Sequence, residues 1–417
     1  MRAHRTPTPW PSSDRTVITD AGLETWLLFQ QGVDLPAFAA YPLAGTHEGR
    51  RLLTEYFEHY VAIARSVGAS VVLETPTWRA NPDWAATLGH DRAALAELIA
   101  ASVDVVASVR DSWSGQGSFL IGGAVGPRGD GYRIDTMMTA EAAAEYHSFQ
   151  IECMAARGVD VITGVTMGYV EEAIGIVRAA QAVGLPVVVS FTLETDGRLP
   201  SGMSLGAAIE ATDAATSGGA QHFMINCAHP THFADVLDVT SSWVLRIGGL
   251  RANASSLSHA ELDEMVELDE GDPADLASRY VALRSLLPAL QVLGGCCGTD
   301  HRHVAAIEVT DDATSGGAQH FMVNCAHPTH FADVLDGAST WASRIGGLRA
   351  NASSLSHAEL DETVELDEGD PADLASRYVA LRSLLPALRV LGGCCGTEHR
   401  HVAAIAQAWC ASSTPHS

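Results

Sequence analysis

The chain has 417 residues, 47% of them hydrophobic and only 6% aromatic, enough for a large core built mainly from aliphatic side chains and alanine. Its 50 acidic against 25 basic residues give a formal charge of −25, which repels nucleic-acid backbones and anionic membrane surfaces and points to small-molecule partners. No apolar run is long enough to cross a bilayer, and residues 1–15 carry prolines and arginines without a signal peptide's apolar segment, so a cytoplasmic protein with reduced cysteines is expected.

Residues 1–15 read as a disordered start. From Thr16 onward, short Val/Ile-rich runs alternate with longer stretches whose alanines and leucines recur at helical spacing, the pattern of repeated strand-helix units on a parallel sheet. The runs cover 16–19, 70–73, 119–125, 159–165, 186–191, 222–227, 245–250 and 289–293. Eight such units predict an α/β fold, a (β/α)8 TIM barrel, with chemistry at the C-terminal strand ends.

Polar residues gather at those ends. The first run leads into Asp20-Ala21-Gly22-Leu23-Glu24-Thr25, and the second into Glu74-Thr75-Pro76-Thr77-Trp78-Arg79-Ala80-Asn81. Helix capping and turn formation account for such residues as well as ligand binding does. The third run continues through a glycine-rich stretch from Gly122 to Tyr132, which lacks the lysine and Ser/Thr of a phosphate loop and reads as a flexible substrate loop. His147, one helical turn before Gln150, reads as a satisfied helix histidine. The fourth run ends in Val165-Thr166-Met167, and the seventh in Arg251-Ala252-Asn253-Ala254.

The sixth run ends in Asn226-Cys227 and the eighth in Gly294-Gly295-Cys296-Cys297-Gly298-Thr299. Paired cysteines in a glycine cradle at a strand end suggest a thiolate metal site. Three thiolates leave a zinc ion one open position, the arrangement of catalytic rather than structural zinc. Buried inert thiols and a strained vicinal disulfide are the alternatives, while the spacing does not fit a zinc ribbon.

These motifs resemble the zinc-dependent homocysteine S-methyltransferases, from about Thr16 to the end. The family's marks are an Asn-Cys after one strand and a Gly-Gly-Cys-Cys-Gly-Thr after a later one, and both are present. The resemblance implies zinc on Cys227, Cys296 and Cys297, with substrate contacts from Asp20, Gly22, Thr75, Thr166, Asn226 and Asn253. It further implies transfer of a methyl group from a sulfonium or betaine-type donor to homocysteine, giving methionine. The homocysteine sulfur would take the open position on zinc, and Trp78 or Tyr132 would hold the cationic donor by cation-π contact. The family commonly has a glutamate at the end of the fourth strand, where this chain has Val165, and Thr166 offers only a neutral contact. A related thiol or selenol acceptor, or a zinc-binding barrel without catalysis, therefore stays open.

Residues 210–307 and 308–405 are two copies of one block: Cys325 follows Cys227, and Cys394 follows Cys296, by the same interval. Ala-Ala-Ile-Glu at both 207–210 and 305–308 flanks the first copy, as unequal recombination would leave it. The expected organisation is a barrel over 16–307, a duplicate of its last three strand-helix units over 308–405, and a tail over 406–417. The duplicate carries a second cysteine set, Cys325, Cys394 and Cys395. Only one copy can complete the five strands that occur once, and the first is expected to do so. A spare copy exposes sheet edges, which opens a route to strand exchange and homo-oligomers.

Overall fold

The computed structural model describes residues 8–12, 16–134, 136–312, 321–324, 326–332, 335, 345–355, 367, 369–385, 388, 390–393 and 397–411. It divides into two compact units at Asp312.

In the first unit eight parallel strands close in sequence order: β1 (Val17–Thr19), β2 (Ser70–Glu74), β3 (Phe119–Val125), β4 (Val161–Met167), β5 (Val187–Thr192), β6 (Phe223–Asn226), β7 (Ile247–Ala252) and β8 (Val292–Gly295). Closure pairs Val17 with Val292 and Ile18 with Leu293. The α/β barrel expected from the alternation is present, and the first copy of the repeated block supplies β6, β7 and β8. Side chains alternate across each strand. One set (Val17, Val72, Leu120, Val161, Val188, Met224 and Val292) fills the barrel interior, while the other packs outward against the helices.

The helices are α1 (His47–Val67), α2 (Arg92–Asp111), α3 (Ala140–Arg157), α4 (Val170–Ala182), α5 (Leu205–Thr216), α6 (Pro273–Arg284) and α7 (His301–Asp312), with shorter turns between. Side-chain caps start them: Thr46, Asp91, Thr139 and Ser204 each accept a backbone N–H of the first turn. α1 and α3 end on Gly68 and Gly158 in the left-handed region that stops a helix.

Residues 8–12 depart from the expected disorder. Trp10 packs against the interior layer at the N-terminal end, its ring 4.8 Å from that of His222, and its indole N–H donates to Gln291. An aromatic plug there covers apolar surface that the open end of the barrel leaves exposed.

In the second unit β9 (Phe321–Asn324), β10 (Ile345–Ala350) and β11 (Val390–Gly393) form a three-stranded parallel sheet in the order β11-β10-β9. The pairing of Gly347 with Val390 repeats that of Gly249 with Val292 in the barrel. Helices α8 (Pro371–Leu381) and α9 (His399–Ala411) belong to this unit, whose core includes Leu348, Leu374, Tyr378, Leu388 and Ile405. Cys325, Cys394 and Cys395 lie outside the described residues.

Candidate active site at the C-terminal end of the barrel

Cys227 follows β6 directly, and Cys296 and Cys297 follow β8. Their three sulfurs lie within 4.8 Å of one another, with Cys227 Sγ 4.0 Å from Cys297 Sγ. A tetrahedral zinc ion with Zn–S bonds of about 2.3 Å sets sulfurs roughly 3.8 Å apart, so the trio fits one ion after small side-chain adjustment. Hydrogen bonds from Cys296 and Cys297 drive Cys227 toward thiolate, while the bond to Cys227 pushes Cys296 up to about 12 and raises Cys297 as well. Three ionised sulfurs this close need a cation among them.

The backbone is bent to bring the sulfurs together. Cys227 has φ 51° and Thr166, at the end of β4, has φ 66°, a region that side chains, and β-branched ones above all, avoid. Asn226 holds Thr166 there. Its Oδ1 accepts from the Thr166 backbone N–H at 3.0 Å and from the Ser190 hydroxyl at 2.6 Å, while its Nδ2 donates to Thr166 Oγ1 and approaches Cys296 Sγ at 3.9 Å. After β8, Gly298 turns at φ 76°, where a Cβ would lie 2.6 Å from the Asp269 carbonyl. Only glycine fits that turn. The Thr299 hydroxyl closes it by donating to the Cys296 carbonyl at 2.6 Å.

Tyr132, from the loop after β3, reaches across the pocket. Its hydroxyl lies 3.3 Å from Cys227 Sγ and 3.9 Å from Cys297 Sγ, and its ring sits 4.1 Å from that of His259, which hydrogen-bonds the Cys227 carbonyl.

Carboxylates line the same pocket. Asp20 is buried, 3.3 Å from Arg251 Nη2, and also accepts from the Thr19 and Tyr56 hydroxyls. Arg251 donates further to the Gly295 and Ala21 carbonyls, tying β7 to β8 and to the loop after β1. Burial works against its charge, but Asp20 and Glu74 outweigh burial and hold the guanidinium protonated. Burial pushes Glu74 up to about 7 from an ordinary 4.5, against the pull of Arg251, and Glu24 rises to about 7 for the same reason.

Those shifts make stability depend on pH. A carboxyl whose folded pKa is raised binds more protons folded than unfolded between about 4.5 and 7, so stability falls as pH rises through that window. For Glu74 alone the effect is on the order of 3 kcal/mol. The melting temperature of the ligand-free protein is expected to drop from pH 5 to pH 7, and Glu74→Gln should flatten that slope. A slope unchanged in the variant would remove Glu74 as its source.

Of the residues singled out from sequence, Asp20, Gly22, Thr75, Thr166, Cys227, Cys296 and Cys297 line one pocket. Asn253 lines an adjoining outer chamber, where its buried Oδ1 has no protein partner. Asn226 sits behind the wall, with its amide committed to the contacts above. His147 is buried against Glu172 at 2.9 Å, a helix histidine paired inside the core. The side chains that sequence reasoning missed are Glu24 and Arg251, together with Tyr132 in its contact with the sulfurs. An arginine at an inward-facing position of a buried strand was the available signal, because such a charge requires buried carboxylates beside it.

The model of the homocysteine S-methyltransferase family matches residues 17–310, and matches again over 308–409. The chain belongs to the homocysteine S-methyltransferase family. The second match restarts inside α7, at the residue where the second copy of the repeated block begins. Among solved structures, this family member is similar to the homocysteine methyltransferase MmuM of Escherichia coli. The oxidized form is 22% identical with a TM-score of 0.57, over 70% of this chain and 95% of that one. The metallated form is 22% identical with a TM-score of 0.55, over 71% and 96%. At such identity the likeness concerns the fold. No match is found among the curated proteins.

Proposed function

We propose that this barrel moves a methyl group from a positively charged donor of the sulfonium or betaine type to the thiol of homocysteine, giving methionine, with zinc held by Cys227, Cys296 and Cys297. The observation that carries this reading is the convergence of three cysteine sulfurs on a pocket whose other wall is acidic. A zinc ion held by three thiolates would supply a Lewis acid that lowers the pKa of a thiol brought to its open side.

The chain's own groups then bind and orient. Asn226, next to Cys227 in the chain, holds the Thr166 backbone at the end of β4, and the Tyr132 hydroxyl lies against Cys227 Sγ on the pocket side. Asp20 balances Arg251, and together with Glu24 and Glu74 it leaves the inner pocket net negative, which favours the ammonium of an amino-acid thiol. Gly22 must lack a side chain, since a Cβ would meet the Cys296 carbonyl at 2.6 Å, and Thr75 and Thr166 complete the wall.

The donor enters through the outer chamber, where Phe29, Phe38 and Tyr132 meet the carboxylates of Asp130, Glu267 and Asp269. Aromatic faces and acids together suit a sulfonium or quaternary ammonium. Trp78 carries the Arg79 guanidinium on its ring at 4.2 Å and Tyr132 carries His259, so each offers a donor one face at most.

A second reading, methylation of a related thiol or selenol, draws support from Val165, an apolar side chain in the pocket wall where the family commonly has a glutamate. A barrel that binds zinc without catalysis is the remaining alternative. Product analysis separates the three. The zinc-loaded chain is supplied with S-methylmethionine or betaine and with homocysteine, other thiols or a selenol. Methionine is the expected product. Faster methylation of another acceptor would favour the second reading, and no transfer with any pair would leave only binding.

A further inference from the structure

The inner pocket holds three carboxylates, and they are not equivalent. Asp20 is spent: both oxygens take hydroxyl hydrogen bonds, and Arg251 neutralises it. Glu24 is half-buried on the first helical turn after β1. Glu74, the last residue of β2, points into the barrel with Val72 of the interior layer and is 6% exposed.

One oxygen of Glu74 is held and the other is left alone. Oε1 accepts from the Thr163 hydroxyl of β4 at 2.7 Å, which fixes the carboxylate plane. Oε2 is buried and has no protein partner. The barrel also keeps space clear around it: Gly122 of β3 is the neighbour, and a Cβ there would lie 2.4 Å from Oε2. A buried, aimed and unsatisfied carboxylate oxygen is costly unless a cation or donor completes it. Arg251 acts on Glu74 through the field only, since no direct ion pair joins them among the described contacts.

We propose that Glu74 receives the α-ammonium group of the thiol substrate on its free oxygen, and so selects an α-amino thiol over a simple one. This rests on reading the pocket as a homocysteine site. It also accounts for Val165: the acid is supplied from β2, braced from β4 by Thr163, instead of from the end of β4 itself. Glu74 is a specificity-determining residue, and the sulfur chemistry does not pass through it.

The test is calorimetric binding to the zinc-loaded full chain, comparing homocysteine with 4-sulfanylbutanoate, the same thiol acid without its amino group. Wild type is expected to prefer homocysteine by about 30- to 100-fold, the range of one buried charge-assisted pair. Glu74→Gln should erase most of that preference by weakening homocysteine alone. Thr163→Val, which leaves the carboxylate but frees it, should erase part of it. A wild type that binds neither thiol overturns the functional reading and this assignment with it. A wild type that prefers homocysteine, with the preference kept in Glu74→Gln or lost only in Glu24→Gln, overturns this assignment alone.

Discussion

Cys227→Ser is expected to remove bound zinc and lower methyl transfer to homocysteine about a thousandfold, while Cys325→Ser changes neither. A serine hydroxyl stays protonated where a thiolate is needed, so the site keeps two thiolates and loses much of its hold on the ion. A thousandfold corresponds to about 4 kcal/mol of transition-state stabilisation, within what a Lewis acid contributes. The contrast between the two variants follows from strand pairing. β6, which ends at Asn226, pairs with β5 and β7 inside the closed barrel, whereas β9 pairs with β10 in the separate three-stranded sheet. Among the described residues the first set lines one pocket with Asp20 and Glu74, which lie outside the repeated block. Zinc content and initial rates of both variants decide it, and the assignment is wrong if only Cys325→Ser abolishes both.

The second large effect concerns stability. Arg251→Met leaves Asp20 and Glu74 inside the barrel without their cation, and breaking one side of a buried charge cluster costs about 3–5 kcal/mol. For a unit of this size that lowers the melting temperature by roughly 5–8 °C at neutral pH. The loss should shrink as pH falls toward 4, because the stranded carboxyls then protonate. Two hydrogen bonds to the Gly295 and Ala21 carbonyls vanish as well, so Cys296 loses part of its support. A variant as stable as wild type at pH 7 would show that solvent already reaches Asp20.

The sequence carried the barrel because short Val/Ile-rich runs and Ala/Leu-rich helical stretches alternate without interruption, and it carried the cysteine cluster because Cys296 and Cys297 are adjacent in one glycine-rich turn. What it did not carry are relations across strands. Asn226 reads as a substrate ligand beside Cys227, yet its amide is consumed in holding Thr166 at positive φ, a backbone state that no residue type announces. The pairing of β4 with β5 slips between Gly164 and Met167 at that same residue, so inward and outward positions could not be counted through it. Asp20 reads as a substrate contact, and nothing near it in sequence announces its ion pair with Arg251, 231 positions later. Trp10 sits in a segment of prolines and polar residues whose composition signals disorder, and only the open floor of the barrel gives it a place. The repeat is plain in sequence, but which copy joins β5 and β1 depends on pairing, and both copies have the same edges.

In the proposed function, thiol methylation depends on one metal ion held by Cys227, Cys296 and Cys297. Its most direct test is to strip the purified chain with a chelator and titrate zinc back while measuring methionine formed from homocysteine and a methyl sulfonium. No activity without metal, a linear recovery and a plateau at one zinc per chain are expected. Full activity in the stripped protein, or a plateau at two, would contradict it.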